Sequence, residues 1–133
     1  MRLFIVGLLF SLFAFSANAE PQKDIQTTIR SQLEALKNDD FATAFTFASP
    51  SIKYMFETPE NFGRMVRGGY PMVWRYERFT FLDNKVTPNG RSQDVQIKDL
   101  ENTTHYLRYF MTETPQGWKI SGVQFLNPSD FSV

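Results

Sequence analysis

The side chains best able to do chemistry are concentrated in one short part of the chain, and they are cationic or aromatic: Arg64, Arg67, Tyr70, Trp74 and Arg75. A guanidinium group can hold a carboxylate or phosphate through two parallel hydrogen bonds, and aromatic rings can stack on a ligand or on a cation. We therefore predict that these five residues form a rim that binds an anionic ligand or a protein partner. The alternative is structural: the arginines pair with acidic neighbours and cover apolar surface with their stems, the acids being Glu57, Glu60 and Glu77.

The sequence offers no complete catalytic or metal-binding set. His105 is the only histidine and there is no cysteine, so a triad or a multi-histidine metal site would depend on that one residue. We predict a solvent-facing structural role for His105, and capping roles for Asp39 and Asp40. We accordingly predict no metal, no cofactor and no catalytic residue, and we regard a binding protein as better supported than an enzyme.

The first residues have the pattern of a secretory signal peptide. Met1 and Arg2 precede an apolar segment that ends in Ser16-Ala17-Asn18-Ala19, a small-x-small cleavage pattern. A membrane anchor needs about 20 apolar residues, so this shorter segment favours cleavage over anchoring. We predict that residues 1–19 are removed and that the protein is exported, either periplasmic or secreted, without membrane association after cleavage.

The remaining residues, 20–133, fit a single domain. Loss of Arg2 leaves 13 Lys and Arg against 14 Asp and Glu, a formal net charge of −1. Such a balance provides no strong field for nucleic acid, so we predict no nucleic-acid partner. Without cysteine there can be no disulfide, and stability must come from packing.

The elements that must position the rim begin with helices. Ile25, Ile29, Leu33 and Leu36 recur at helical spacing, and the pattern predicts an amphipathic helix from Asp24. Asn38-Asp39-Asp40 ends it and caps a second helix. Ser49-Pro50 and Thr58-Pro59 each predict the start of a short helix, because a hydroxyl caps the first turn and proline needs no N–H there. We expect Gly68-Gly69 to end the last helix with a positive φ, and the chain to be extended after Pro71.

The second half has the alternation and turns of four antiparallel strands. Turns are predicted at Pro88-Asn89-Gly90, at residues 99–103 and at Pro115-Gln116-Gly117. Two readings of the last strand remain open. Gly122 can mark a bulge that switches faces; without one, the outer face carries an apolar patch that could dimerise, formed by Tyr106, Phe110, Val123 and Phe125. In the inward positions of the first strands we expect apolar residues, with the acids Asp83 and Asp99 only at strand ends, so a buried general acid is unsupported.

Several segments resemble a bacterial family of exported domains of unknown function. The likeness covers nearly the whole chain after residue 19 and is carried by Phe47-Ala48-Ser49-Pro50-Ser51-Ile52, Phe56, Thr58-Pro59-Glu60-Asn61-Phe62, Met65-Val66 and Gly69-Tyr70-Pro71. The order of elements also resembles the cystatin-like or nuclear transport factor 2-like superfamily. This resemblance implies an α+β fold with N-terminal helices packed on a curved four-stranded antiparallel sheet that leaves a conical pocket. Because that superfamily includes isomerases, dehydratases, binding proteins and dimerisation modules, the fold does not decide the function.

Three functional hypotheses follow. The first is a non-enzymatic exported domain that binds a small ligand or protein partner at a pocket mouth between residues 49–75 and the sheet. The second is a cofactor-free acid–base enzyme, of isomerase or dehydratase type, that uses the interior of the cone. The third is a structural homodimer formed through the outer sheet face.

Overall fold

The computed structural model describes residues 20–130, so the predicted signal peptide lies outside the described residues. Five helices precede four strands: α1 (Pro21–Lys37), α2 (Phe41–Thr46), α3 (Pro50–Phe56), α4 (Pro59–Gly69), α5 (Pro71–Trp74), β1 (Tyr76–Thr87), β2 (Gly90–Asp99), β3 (Thr104–Thr114) and β4 (Gly117–Leu126), followed by a 3-10 turn, Pro128–Asp130. Within this described part, no helix has both the length and the apolar character needed to cross a membrane.

The apolar stripe of α1 forms the centre of the core. Ile25, Ile29, Leu33 and Leu36 are each no more than 1% exposed. The helix begins at Pro21, earlier than predicted, because proline at a first helical position gives up no hydrogen bond. The predicted helix and its buried face are therefore confirmed.

Side-chain caps fix where the next three helices begin. Asp40 Oδ1 accepts from the Thr43 N–H at 3.1 Å, Ser49 Oγ from the Ile52 N–H at 3.3 Å, and Thr58 Oγ1 from the Asn61 N–H at 3.1 Å. Each cap supplies a partner for a backbone donor that the first turn leaves free. The three starts read from the sequence are confirmed.

Two expectations about the end of the helical half are wrong. Gly68 and Gly69 lie inside α4 without positive φ, and Pro71 begins one more helical turn rather than an extended segment. The Arg75 N–H donates to the Pro71 carbonyl at 2.9 Å, which closes that turn. Burial explains the outcome, since the turn places Met72 and Val73 in the core.

The four strands form one antiparallel sheet in the order β1-β2-β3-β4. The turn before β2 ends at Gly90, where φ is 155° and a Cβ would meet the Met111 carbonyl, so glycine is required there. The inner face packs on α1 and carries a row of enclosed side chains: Val95, Ile97, Leu107, Tyr109 and Met111. These layers are the α+β arrangement that the sequence predicted.

A bulge in β4 decides which residues face the helices. Phe110 pairs with Gly122 and Met111 with Ile120, so Ser121 is one extra residue in β4. The extra residue reverses the alternation, as bulges do. Val123 and Phe125 therefore lie opposite Tyr109 and Leu107 on the inner face.

The apolar outer patch predicted for an unbulged strand is consequently wrong. Tyr106 and Phe110 are on the outer face without Val123 and Phe125. Between them lies Arg108, whose Nε and Nη2 donate to the two carboxylate oxygens of Asp94 at 2.8 and 3.0 Å, and Asp94 is 2% exposed. Dimerisation through this face stays a prediction, but only two of the four apolar residues proposed for the interface, Tyr106 and Phe110, lie on this face.

Candidate functional site

A cavity of about 310 Å³ lies between the helices and the sheet. Its walls come from α1, α3, α4, α5 and the inner face of β3 and β4, and most of the side chains are apolar: Gln32, Leu36, Ala48, Ile52, Met55, Phe56, Phe62, Met65, Val66, Tyr70, Val73, Tyr109, Ile120, Gly122 and Val123. Eight of these belong to residues 49–75, the segment that the sequence singled out.

Backbone hydrogen bonds and stacked rings hold the cavity walls in place. The Ser49 N–H donates to the Ile120 carbonyl at 2.8 Å, and the Ile120 N–H donates to the Phe47 carbonyl at 2.9 Å. These bonds attach the start of α3 to β4. Phe62 of α4 then contacts Phe56 edge-on, with 6.1 Å between ring centroids, which fixes α4 against α3.

The cavity opens to solvent beside α3. Met55 lines it and is also 67% exposed, so this side chain lies at the opening. Across from it, the Tyr70 ring stacks on Phe125 with 5.0 Å between centroids, and the Tyr70 hydroxyl donates to the Val123 carbonyl at 3.2 Å. Tyr70 therefore connects the helical segment to the edge strand at the mouth.

Two polar side chains enter the lining with hydrogen-bonding capacity left over. Gln32, 5% exposed, donates through Nε2 to the Ala44 carbonyl at 3.2 Å, and among residues 20–130 its Oε1 has no partner. The Tyr109 hydroxyl likewise has no partner there, although the residue is 1% exposed. Both residues line the cavity, and since no enclosed side-chain oxygen or nitrogen in the described part lacks a partner, both groups keep some accessible surface.

Burial keeps the Tyr109 hydroxyl protonated. Desolvation raises the pKa of this phenol, and the neighbouring phenols of Tyr70 and Tyr76 raise it further. The lining itself contains no Asp, Glu, His, Lys or Arg side chain. In the described residues no group of three or more His, Cys, Asp and Glu side chains could hold a metal ion.

Of the five predicted rim residues, Tyr70 alone lines this cavity. Trp74 and Arg75 instead surround Asp39 of the loop after α1. Trp74 Nε1 donates to Asp39 Oδ1 at 2.7 Å, and Arg75 Nη2 donates to both carboxylate oxygens at 3.0 and 3.1 Å. These bonds, first that from Trp74 and then that from Arg75, lower the pKa of the Asp39 carboxyl.

The remaining two arginines lie on the outside of α4. The Arg67 guanidinium is 5.1 Å from the centroid of the Phe41 ring, and Arg64 is exposed. Among the described residues none of these arginines forms an ion pair with Glu57, Glu60 or Glu77; the Glu77 carboxylate lies 3.9 Å from Lys98. The structural alternative thus named the wrong acids, because Asp39 is brought to Arg75 by the fold.

The sequence predicted a solvent-facing structural role for His105, but the structure shows a partly buried side chain. Its side chain is 25% exposed, and Nε2 lies 2.7 Å from Asp99 Oδ2. Asp99 Oδ1 also accepts from the N–H groups of Glu101 and Thr103, both at 2.9 Å, so this carboxylate organises the turn between β2 and β3. The pair lies in a separate depression of about 170 Å³, beside Trp74 and Arg75.

Sequence reasoning did not identify the two polar groups of the cavity. Gln32 had a detectable signal, since it stands three residues after Ile29 and four before Leu36 on a helix whose apolar stripe was recognised. Tyr109 also had one, because it lies in a strand with apolar residues on both faces. Neither signal shows which hydroxyl or amide is left without a partner, because that depends on the packing around it.

Comparisons with known proteins agree with this architecture. The sequence matches a family described as a domain of unknown function (DUF4864) over residues 18–133. It is similar in structure to an NTF-2 like protein of unknown function from Shewanella oneidensis MR-1, with a TM-score of 0.54 and 14% identity over 79% of this chain and 98% of that one. At that identity the likeness concerns the fold alone, and it confirms the predicted fold class. No curated protein matches the chain.

Proposed function

The chain belongs to the DUF4864 family of domains of unknown function and has a nuclear transport factor 2-like fold, and from these premises we propose that it is a non-enzymatic domain that binds a small ligand in the cavity between α3 and the sheet. The observation that carries the proposal is the cavity itself. Its volume of about 310 Å³ lies at the lower end of the range typical of small-molecule sites, roughly 300–1,000 Å³.

The walls of the cavity support binding because hydrogen bonds between distant parts of the chain hold them in place. The hydrogen bonds between Ser49 and Ile120 and between Tyr70 and Val123 fix the position of the helical segment relative to the edge strand β4. A ligand entering a preformed apolar space loses water contacts without having to order the protein around it.

The lining favours binding over acid–base catalysis. General acid–base work requires a group that exchanges a proton near the working pH, placed within hydrogen-bond reach of the substrate. The described lining contains neither carboxylate nor imidazole, and the Asp99–His105 pair lies in a different depression. The acid–base hypothesis would therefore have to use a site other than this cavity.

Export is part of the proposal. The support is the leader pattern of residues 1–19, together with a first helix that begins at Pro21, just after the proposed cleavage point. We propose that the domain binds its ligand outside the cytoplasm.

A titration with 2-naphthol, an uncharged bicyclic compound, tests the binding proposal. Two-dimensional ¹H–¹⁵N NMR should show saturable shifts confined to amides around the cavity, including those of Tyr109 and Ile120. A ligand of ~11 non-hydrogen atoms is expected to bind with a Kd of roughly 10 µM to 1 mM.

A matched pair of variants on β4 separates the cavity from the surface. Val123→Trp places a large ring in the mouth and should weaken binding at least about tenfold. Gln124→Trp adds the same ring at the exposed neighbouring position and should leave the Kd unchanged. Urea unfolding checks that both variants are folded. Shifts that are absent at millimolar ligand, or that survive in folded Val123→Trp, would contradict the proposal.

A further inference from the structure

We infer that the cavity selects an uncharged, mostly apolar molecule of bicyclic size that carries a hydroxyl or carbonyl group, that the Tyr109 hydroxyl binds this polar group, and that the Gln32 amide oxygen accepts a hydrogen bond where the group is a hydroxyl. The inference rests on the proposed function and assigns a ligand class to the same site. It depends on which groups line the cavity, which of them are already bonded, and how large the space is.

Two polar groups of the lining have unused hydrogen-bonding capacity. The Tyr109 hydroxyl can donate one hydrogen bond and accept others, while Gln32 Oε1 can only accept. Buried polar groups in folded proteins are almost always bonded, and each one left unpaired is costly. Because no enclosed side-chain polar atom of the described residues lacks a partner, these two groups are accessible to water, and a ligand that displaces this water has to replace its hydrogen bonds. A ligand hydroxyl could bond to either group, whereas a ligand carbonyl would accept from Tyr109.

The described lining of the cavity has no charged side chain. A buried carboxylate, phosphate or ammonium group needs a partner of opposite charge, and the described lining has none to offer. The nearby guanidinium groups are committed elsewhere, that of Arg75 to Asp39 and that of Arg67 to the Phe41 ring. The Tyr109 phenol is neutral, as tyrosine is near neutral pH, and burial raises its pKa further, so it acts as a donor and not as a phenolate that could attract a cation.

The volume of the cavity limits the size of the ligand. In another protein, an engineered apolar cavity of about 150 Å³ binds benzene. The volume here, about 310 Å³, is roughly twice as large and so fits two fused rings or an equally compact aliphatic skeleton. Aromatic edges from Phe56 and Phe62 border the space and would suit a flat ring system.

The experiment compares three ligands of the same skeleton: 2-naphthol, naphthalene and 2-naphthoate. With the native protein, 2-naphthol should bind tightest. Naphthalene should bind about threefold to tenfold more weakly for want of one hydrogen bond. The anionic 2-naphthoate should bind more than about tenfold more weakly than 2-naphthol, because its charge is unpaired in the cavity.

Two variants assign the effect to the named side chains. Tyr109→Phe removes the hydroxyl and Gln32→Leu removes the amide oxygen; each should weaken 2-naphthol binding about threefold to tenfold. Neither should weaken the binding of naphthalene, because this ligand makes no hydrogen bond to either side chain. Tyr106→Phe, on the opposite face of the same strand, removes a hydroxyl away from the cavity and should have no effect on 2-naphthol.

The outcomes distinguish failure of this inference from failure of the proposed function. Equal affinity of 2-naphthol for the native protein and for both folded variants would overturn the ligand class while leaving apolar binding intact. Binding of 2-naphthoate as tight as that of 2-naphthol would also overturn it. If none of the three compounds binds at the cavity, the proposed function fails and the inference fails with it.

Discussion

A single carboxylate, that of Asp99, organises the turn between β2 and β3. Its Oδ1 accepts from two backbone N–H groups and its Oδ2 bonds to His105, so all three bonds favour the ionised form. The hydrogen bond from His105 is the largest cause of the lowered pKa of Asp99, followed by that from Thr103. His105, the only histidine of the chain, thus holds the Asp99 carboxylate in place. The sequence identified His105 but did not show its contact with Asp99.

This contact predicts a specific pH dependence of stability. Because the Asp99 pKa is lower in the folded than in the unfolded state, its stabilisation is fully present above the ordinary carboxyl value of 3.8. It is lost as the pH falls through the lowered folded value. We expect the urea midpoint to decrease as the pH falls below about 4, and to decrease less in His105→Ala.

The comparison must be made as a difference between proteins, since Asp39 and Asp40 also have lowered pKa values and contribute to the same decrease. Thr104→Ala, an exposed position in the same strand, serves as the control and should follow the native profile. Superimposable profiles for the native protein and His105→Ala would show that the bond to Asp99 does not stabilise the fold.

At the scale of elements, α4 packs on α2 through a glycine. An ideal Cβ at Gly63 would lie 2.7 Å from Phe41 Cδ1, close to the base of the ring rather than at a flexible tip. Arg67, one turn further along α4, has its guanidinium 5.1 Å from the centroid of the same Phe41 ring. Gly68 is in the same helix but has no atom within 4 Å of an added Cβ.

Two alanine substitutions in α4 should therefore have opposite effects. Alanine is the better helix former by about 0.8–1 kcal/mol, but at Gly63 it overpacks the contact with α2, which costs about 1–3 kcal/mol. We expect Gly63→Ala to lower the free energy of unfolding. Gly68→Ala should raise it by about 0.5 kcal/mol, less than the full helix gain because the helix ends at the next residue.

Urea denaturation of the two variants beside the native protein measures both effects under the same conditions. The Gly68→Ala protein serves as the internal control for helix propensity. A Gly63→Ala protein as stable as the Gly68→Ala protein would mean that Phe41 moves aside freely and that the helix contact is loose.

At the scale of the whole molecule, the described contacts all lie within residues 20–130. The first residue of the core is Ile25, and α1 begins at Pro21. Cleavage after Ala19 would therefore leave every described contact intact. A polypeptide that starts at Glu20 should fold alone and unfold in one cooperative transition, as single domains of this size usually do.

Expression of the full chain in a bacterium tests export and cleavage together. We expect the mass of the protein recovered from the periplasm or the medium to correspond to a chain that starts at Glu20. Ala17→Leu with Ala19→Leu removes the small residues of the cleavage pattern and should leave the leader attached. Recovery of the native chain in the cytoplasm at full length would contradict the export proposal.

The sequence by itself determined the features that depend on neighbours in the chain. Caps, proline starts, turns, the apolar stripe of α1 and the order of helices before strands all arise from contacts a few residues apart, and together they predicted the fold class. They did not place the predicted rim, since of its five residues only Tyr70 lines the cavity.

Only the tertiary structure decided the chemistry of the site. The Trp74–Asp39 bond joins residues 35 positions apart, and the Tyr70–Val123 bond spans 53. One extra residue, Ser121, turned Val123 and Phe125 inward and so decided between the two readings of β4 that the sequence left open. Whether a cation is free, or a hydroxyl unpaired, depends on such distant partners, because packing brings together groups whose separation along the chain carries no local signal.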